Sequence, residues 1–507
     1  MTPGKVYLIG AGPGDPGLLT LKGQACIANA DVVIYDYLAA PALLAHAAPD
    51  AEMIYVGKKG GAHTLPQGGI NQLIIDKSRQ GLVVARLKGG DPYIFGRGGE
   101  EAEELVAAGI PFEVVPGVTS AVAGAAYAGI PLTHRDYTST LAFVTGHEDP
   151  TKESSNIDWP SLAAGIGTLV FFMGVKNLPL ITEKLQTHGM AAETPTALIR
   201  WGTTPRQETV TGTLATIVDT AREAGIKAPA IIVIGKVVAL RERLQWFETR
   251  PLFGRTIVVT RARAQASDLV ERLNDLGANC LEYPTIEVVP PQDNAPLEAA
   301  IQDLAAYDWL IFTSVNGVHY FFERLFALGK DVRALHRVRT AVIGPATAEA
   351  LRRHGLRSDI LPASYRAEAV IEAFADQDVA GRRILLPRAA EARPILPQEL
   401  RRMGADVDEI AAYRTRPVAV GADRLEEDLD AGRVDLVTFT SSSTVQNFYD
   451  MLPAGRREAL IRELRTASIG PITTATAEKL GFTVSVTADE YTIPGLCDAV
   501  QAYFSQP

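Results

Sequence analysis

A long internal repeat restricts the fold of this chain more than any other feature. R-T-I-V-V-T-R-A at 255–262 returns as R-R-I-L-L-P-R-A at 382–389, and L-G-A at 276–278 returns as M-G-A at 403–405, both at an offset of 127. D-W-L-I-F-T-S-V-N-G-V-H-Y-F-F at 308–322 matches D-L-V-T-F-T-S-S-S-T-V-Q-N-F-Y at 435–449 at the same offset. R-T-A-V-I-G-P-A-T at 339–347 matches R-T-A-S-I-G-P-I-T at 465–473 at an offset of 126. That period far exceeds the ~20–50 residues of a solenoid unit, so it marks a duplicated α/β lobe. Proline-rich segments at 290–296 and at Pro417 are the expected crossings between lobes. Lobe 1 is then 255–288 plus 418–507, lobe 2 is 290–415, and a ligand cleft is expected between them.

The first half alternates in the same way without repeating. K-V-Y-L-I-G (5–10), A-D-V-V-I-Y-D (30–36), G-L-V-V-A-R-L (81–87), F-E-V-V-P-G (112–117) and L-A-F-V-T-G-H (141–147) are short β-branched runs with helical segments between them. The class is therefore α/β throughout. E-T-R-P-L-F-G-R-T at 248–256 interrupts the pattern, which sets a first domain over 1–247, a linker over 248–254 and a second domain over 255–507.

Composition excludes several function classes. A net charge of −10 removes general attraction to nucleic acid or to an anionic membrane, so any anionic substrate must be met by local cations. Three distant cysteines, Cys26, Cys280 and Cys497, without a C-x-x-C pair argue for a reducing compartment and against a disulfide framework or a zinc site. The N-terminus lacks a charged region followed by an apolar one, and apolar stretches such as 228–240 fall short of the ~20 residues of a span. A cytoplasmic location is expected.

Three sets of motifs carry chemistry. R-L-K-G-G-D-P-Y-I-F-G-R-G-G-E-E (86–101) follows an apolar strand and sets glycines and the cations Arg86, Lys88 and Arg97 around Asp91. Its glycines let a ligand approach the backbone closely, and the acids that follow suit a helix N-terminus. Gly10-Ala11-Gly12-Pro13-Gly14-Asp15 mimics a dinucleotide fingerprint, but Asp15 stands where the third glycine belongs and Pro13 removes an N–H. That loop suits a nucleoside ligand without a pyrophosphate. In the second half each repeat places F-T-S after a strand, at Phe312 to Ser314 and Phe439 to Ser441, and G-P-x-T turns at Gly344 to Thr347 and Gly470 to Thr473. Uncharged donors at strand C-termini suit a ligand with many carboxylates. The same hydroxyls also serve as helix caps.

These motifs carry a resemblance. G-A-G-P-G-D-P-G-L-L-T-L (10–21), V-G-K-K-G (56–60), the 86–101 string, V-P-G-V-T-S-A (115–121), G-I-P-L-T-H-R (129–135), V-T-G-H (144–147) and F-F-M-G (171–174) resemble the S-adenosylmethionine-dependent uroporphyrinogen-III C-methyltransferases over 4–247. Residues 252–507 resemble uroporphyrinogen-III synthase through T-R-A, the paired F-T-S and G-P-x-T turns and A-Y-R-T (412–415). The resemblance implies a two-lobed methyltransferase domain followed by a duplicated two-lobed synthase domain. It implies cyclisation of hydroxymethylbilane with inversion of one ring, then two methylations to precorrin-2 on the sirohaem or cobalamin route, with no metal required.

Carried over residue by residue, it implies that Pro13, Gly89, Gly90, Asp91, Ile94, Thr119, Ser120, Met173 and Gly202 contact S-adenosylmethionine. Asp36 is the implied proton acceptor and Lys58 the donor, with Tyr413 assisting departure of the bilane hydroxyl. Arg86, Lys88, Arg97, Thr313, Ser314, Thr347, Ser441 and Thr473 are the expected substrate contacts. Asp36 also reads as a helix N-cap, and Tyr413 as a structural tyrosine. The methyltransferase family implies a homodimer. The pattern starts at residue 4, without the dehydrogenase and ferrochelatase module that precedes it in related sirohaem synthases, so oxidation and metal insertion are expected elsewhere. Two alternatives stay open: a methyltransferase of a later precorrin, and a second half that only binds tetrapyrroles.

Overall fold

The computed structural model describes residues 3–57, 65–147, 156–261, 263–364, 367–417 and 422–506. The chain divides into two compact units, Met1–Thr256 with Arg272–Asn279 and Phe504–Pro507, and Ile257–Glu271 with Cys280–Tyr503. Glu248, inside the expected linker, is tied into the first unit by Arg241, Gln207 and Thr209. Among the described residues, twenty strands form four five-stranded sheets, two in each half of the chain.

The first sheet holds β1 (Val6–Gly10), β2 (Val32–Tyr35), β3 (Glu52–Tyr55), β4 (Val84–Lys88) and β5 (Phe112–Val115) in the order β3-β2-β4-β1-β5. All its pairings are parallel. The β-branched runs of β1, β2 and β4 are buried because helices cover both faces of such a sheet. Parallel strands deliver every C-terminus to one edge, and β4 and β1, distant in sequence, lie side by side there. Ligands bind at such a switch point. The second sheet holds β6 (Leu141–Thr145), β7 (Thr168–Phe172), β8 (Pro195–Arg200), β9 (Glu208–Thr213) and β10 (Ala230–Ile234) in the order β6-β7-β10-β8-β9. Only β6 and β7 pair in parallel there, and its core gathers Leu169, Phe171, Leu198, Ile232 and Ile234.

The repeat accounts for the other two sheets. β11 (Thr256–Val259), β12 (Asn279–Glu282), β18 (Leu436–Phe439), β19 (Arg465–Ser468) and β20 (Thr483–Thr487) run in the order β12-β11-β18-β19-β20. β13 (Ile286–Val289), β14 (Trp309–Phe312), β15 (Arg339–Val342), β16 (Arg383–Ala389) and β17 (Asp406–Pro417) run β13-β17-β16-β14-β15. The repeats exchange strands: β11 and β12 of the first join β18 and β19 of the second, and β16 and β17 of the second join β14 and β15 of the first. One expectation is corrected here. β13 pairs antiparallel with β17, Ile286 against Pro417 and Val289 against Arg414, so the first crossing lies at 283–285, ahead of the prolines at 290–296. Pro296 instead opens the helix Ala295–Gln302, where its missing N–H costs nothing.

Candidate active site

Four loops of the first unit meet at the C-terminal edge of its parallel sheet. Gly12 and Gly90 exchange backbone hydrogen bonds of 2.7 and 3.2 Å, and Ala11 N–H donates to the Lys88 carbonyl at 2.7 Å. Both glycines are left-handed, at φ 76° and 68°. A Cβ on Gly117 would lie 2.4 Å from the Gly90 carbonyl oxygen and 2.6 Å from Gly10 Cα, both backbone atoms that cannot swing aside. The loops after β1, β4 and β5 therefore touch backbone to backbone, which only glycine permits.

Two carboxylates knot these loops. Asp91 accepts from Tyr93 and Ile94 N–H at 2.8 and 3.2 Å through Oδ1, and from Gly117 N–H at 3.0 Å through Oδ2. Asp15 accepts from Gly17 N–H at 2.8 Å and from the Tyr127 hydroxyl at 2.6 Å, and its own N–H donates to Thr203 Oγ1 at 3.0 Å. The residue that breaks the dinucleotide fingerprint thus joins the 10–15 loop to the loop after β8. Burial and the Asp15 carboxylate together push the Tyr127 phenol upward.

Among the described residues every left-handed non-glycine, Phe95, Arg97, Met173, Trp201 and Thr203 (φ 48° to 72°), belongs to the loops after β4, β7 and β8. Such backbone costs about 1–3 kcal/mol per residue and concentrates where a ligand is held. Tyr93, Phe95, Arg97, Glu100 and Met173 line one shallow depression. A hollow of about 580 Å³ beside β6, lined by Phe95, Phe143, His147 and Asp158 among others, holds none of the expected site residues. The convergence of loops, not the larger hollow, defines the site.

Backbone contacts bring together the loops that carry Pro13, Gly89, Gly90, Asp91, Ile94, Thr119, Ser120 and Gly202, and Met173, half-exposed, lines the same depression as Phe95. A Cβ on Gly90 would sit 3.8 Å from Ser120 N, and one on Gly14 would sit 3.5 Å from the Gly202 carbonyl oxygen. Asp36, just past β2, faces the same edge, and a Cβ on Gly89 would fall 2.5 Å from Leu38 Cβ. Lys58 lies outside the described residues.

Two cation expectations are corrected. Arg86 and Lys88, expected on substrate carboxylates, are 3% and 4% exposed and both pair with Glu101 inside the domain, at 3.3 and 2.6 Å. Arg97 is exposed on the rim, paired with Glu100 through two bonds of 2.6 and 2.8 Å. Glu101 is the residue the sequence reading missed. A signal for it exists: Gly98, Glu101, Ala102 and Leu105 form the buried face of the helix Gly98–Ala107, so an acid occupies an apolar stripe.

In the second unit, Tyr413 near the end of β17 is 7% exposed. Its hydroxyl lies 2.9 Å from Ser314 Oγ, and its ring stacks on Tyr320 at 5.8 Å. Burial holds the phenol above its ordinary value, opposed by the Ser314 hydrogen bond and the Arg388 charge. The serines of the two F-T-S turns cap helices, whereas the G-P-x-T turns make no side-chain cap. Ser314 accepts from Gly317 N–H at 3.0 Å and Ser441 closes a capping box with Thr444. Thr347 and Thr473, in the first turns of their helices, are 3% and 5% exposed, which corrects their expected place on a ligand surface. Thr313 remains half-buried beside Ser314.

Comparison with known proteins decides the family. The model of Tetrapyrrole (Corrin/Porphyrin) Methylases matches residues 5–218, and that of Uroporphyrinogen-III synthase HemD matches 267–498. The porphyrin biosynthesis protein HemD of Ruminiclostridium josui is 39% identical over 500 residues, 98% of each chain. The chain belongs to the fused tetrapyrrole methylase–HemD family. The uroporphyrinogen-III C-methyltransferase of Bacillus subtilis (strain 168) is 43% identical over 367 residues, 72% of this chain and 75% of its own. A crystal structure of the uroporphyrin-III C-methyltransferase of Thermus thermophilus complexed with S-adenyl homocysteine is 39% identical, covering 47% of this chain and all of its own, at a TM-score of 0.41. The fused family joins a uroporphyrinogen-III C-methyltransferase to a uroporphyrinogen-III synthase, so this chain is an enzyme of tetrapyrrole biosynthesis.

Proposed function

We propose that this chain converts hydroxymethylbilane into precorrin-2 in consecutive steps. The second half expels the bilane hydroxyl as water and closes the macrocycle with inversion of the last pyrrole ring, giving uroporphyrinogen III. The first half then methylates two ring carbons with S-adenosylmethionine. In each transfer the sulfonium S–CH3 bond breaks, a ring C–CH3 bond forms, the cofactor leaves as a neutral thioether, and the ring gives up one proton. The observation that carries the reading is the union of both family patterns in one chain, which aligns over 98% of its length with a porphyrin biosynthesis protein HemD.

The loops suit this chemistry. Displacement at a sulfonium needs an in-line approach and exclusion of water more than it needs reactive side chains. The glycine junction of Gly10, Gly90 and Gly117 holds the loops after β1, β4 and β5 together, and the residues those loops carry, with Met173 and Gly202, are the proposed contacts of the nucleoside. Asp36 is the proposed proton acceptor and Lys58 the donor. Arg97, exposed on the rim with Tyr93, Phe95 and Met173 and paired there with Glu100, is the proposed partner of a substrate carboxylate. A homodimer, a cytoplasmic location and a sirohaem or cobalamin destination belong to the same proposal.

Supplying the full chain with hydroxymethylbilane but no S-adenosylmethionine tests the synthase half by itself. The expected product is uroporphyrinogen III in excess over the spontaneously closed I isomer. A mixture identical to the protein-free control would make that half a binding module.

A further inference from the structure

β4 carries two cations on one face, Arg86 and Lys88, in a strand whose every residue is buried. A buried charge without a partner costs several kcal/mol, so the fold must balance both. Glu101, whose side chain is fully buried, faces them from the helix Gly98–Ala107. Its Oε1 accepts from Lys88 Nζ at 2.6 Å, Gln67 Nε2 at 3.1 Å and Arg86 Nε at 3.3 Å, while its buried Oε2 has no hydrogen-bond partner among the described residues. Two cations and one carboxylate leave one positive charge over. Asp36 supplies the fourth charge: its Oδ2 accepts from Arg86 Nη2 at 3.2 Å, and its Oδ1 from Leu38 N–H at 3.1 Å. With its side chain 28% exposed, Asp36 is the solvent-facing end of a network whose other charged members are at most 5% exposed.

The Arg86 guanidinium has no freedom to turn. Nε is held by Glu101 and Nη1 donates to the Leu87 carbonyl at 2.9 Å, which aims Nη2 at Asp36. A planar fork fixed on two sides transmits its placement to whatever the third side touches. Burial and the Arg86 charge push the Lys88 ammonium below its ordinary value, opposed by Glu101. Removing the Glu101 charge therefore disturbs both cations at once.

We propose that Glu101, through Arg86, is a positioning residue that fixes the Asp36 carboxylate for methyl transfer, with Lys88 balancing the buried charge. The proposal rests on Asp36 as proton acceptor and adds how that acceptor is held. Glu101, Arg86 and Lys88 do not meet the reacting atoms in this account.

The test is a double-mutant cycle in the full chain, measuring methyl transfer from S-adenosylmethionine to uroporphyrinogen III together with S-adenosylhomocysteine affinity. Glu101→Gln is expected to lower kcat about 10- to 100-fold, the loss typical of a misplaced catalytic group, with KM and cofactor affinity within about twofold of the parent. In the Asp36→Asn background the same substitution should cause no further loss, because residues that act as a unit are not additive. Equal loss factors in both backgrounds, or KM and cofactor affinity falling off together with kcat, would overturn the proposal. Arg86→Lys, which keeps the charge balance but not the fork, guards against misfolding of the Glu101 variant. It should lose kcat in the same way, and a parental kcat would refute the positioning role. Parental activity in Asp36→Asn alone would instead remove the acceptor reading on which the proposal rests.

Discussion

Asp36→Asn is expected to slow methylation of uroporphyrinogen III by about 10²- to 10⁴-fold, the range over which a positioned general base contributes. The fold should survive. Asparagine keeps an acceptor for Leu38 N–H, and Asp36 is partly exposed, so only its pairing with Arg86 is weakened. Cofactor affinity should stay at the parental value, because the glycine junction at Gly10, Gly90 and Gly117 is built without Asp36. Single-turnover transfer from labelled S-adenosylmethionine, alongside S-adenosylhomocysteine titration, reads both quantities. A variant with parental turnover would assign Asp36 to the turn at 36–39 alone.

Tyr413→Phe is expected to slow formation of uroporphyrinogen III from hydroxymethylbilane by about 10²-fold, the lower end for loss of a general acid. Methylation of uroporphyrinogen III supplied directly should be unaffected. The phenol is buried, held above its ordinary value and 2.9 Å from Ser314 Oγ, so at neutral pH it is a proton donor and not a base. Phenylalanine preserves the stack on Tyr320, and Ser314 keeps its bond to Gly317 N–H, so the stability cost is only the lost hydrogen bond, about 1 kcal/mol. Isomer analysis by chromatography checks the rate. Parental production of the III isomer would make Tyr413 a packing residue of β17.

Local pattern was enough to read the strands built from β-branched and aromatic runs. β1, β2, β4, β5 and β6 coincide with the runs at 5–10, 30–36, 81–87, 112–117 and 141–147, whose residue types favour a pleated sheet both where the strand is mostly buried, as in β1, β2 and β4, and where it is partly exposed, as in β5 and β6. β3, an edge strand reading Glu-Met-Ile-Tyr with three of its four residues exposed, carries no such signal. The lobe crossing was misplaced for a different reason. β13 is fixed by pairing with β17, roughly 130 residues later, and the conspicuous prolines beyond it only open a helix.

The site was legible where backbone chemistry dictates residue type and illegible where side chains choose partners. Glycines at 10, 12, 89 and 90 announce close backbone approach in any context. Nothing in the string R-L-K says that Arg86 and Lys88 point into the domain, since the carboxylate that pairs them sits 13 and 15 residues on, in a run of acids that suits a helix N-terminus equally well. The hydroxyls of the second half show the same limit. A serine that caps a helix and a serine that binds a ligand occupy the same place after a strand, and the 3.0 Å bond from Gly317 N–H to Ser314 and the capping box at Ser441 show the cap alone.

Mass and absorbance analysis of the products formed by the full chain from hydroxymethylbilane and S-adenosylmethionine tests the central claim most directly. The expected product is a doubly methylated compound of the III series, heavier than uroporphyrinogen III by two CH2 units, since each methyl replaces a ring proton. Uroporphyrinogen I alone, or an unmethylated III isomer in the presence of excess cofactor, would contradict it.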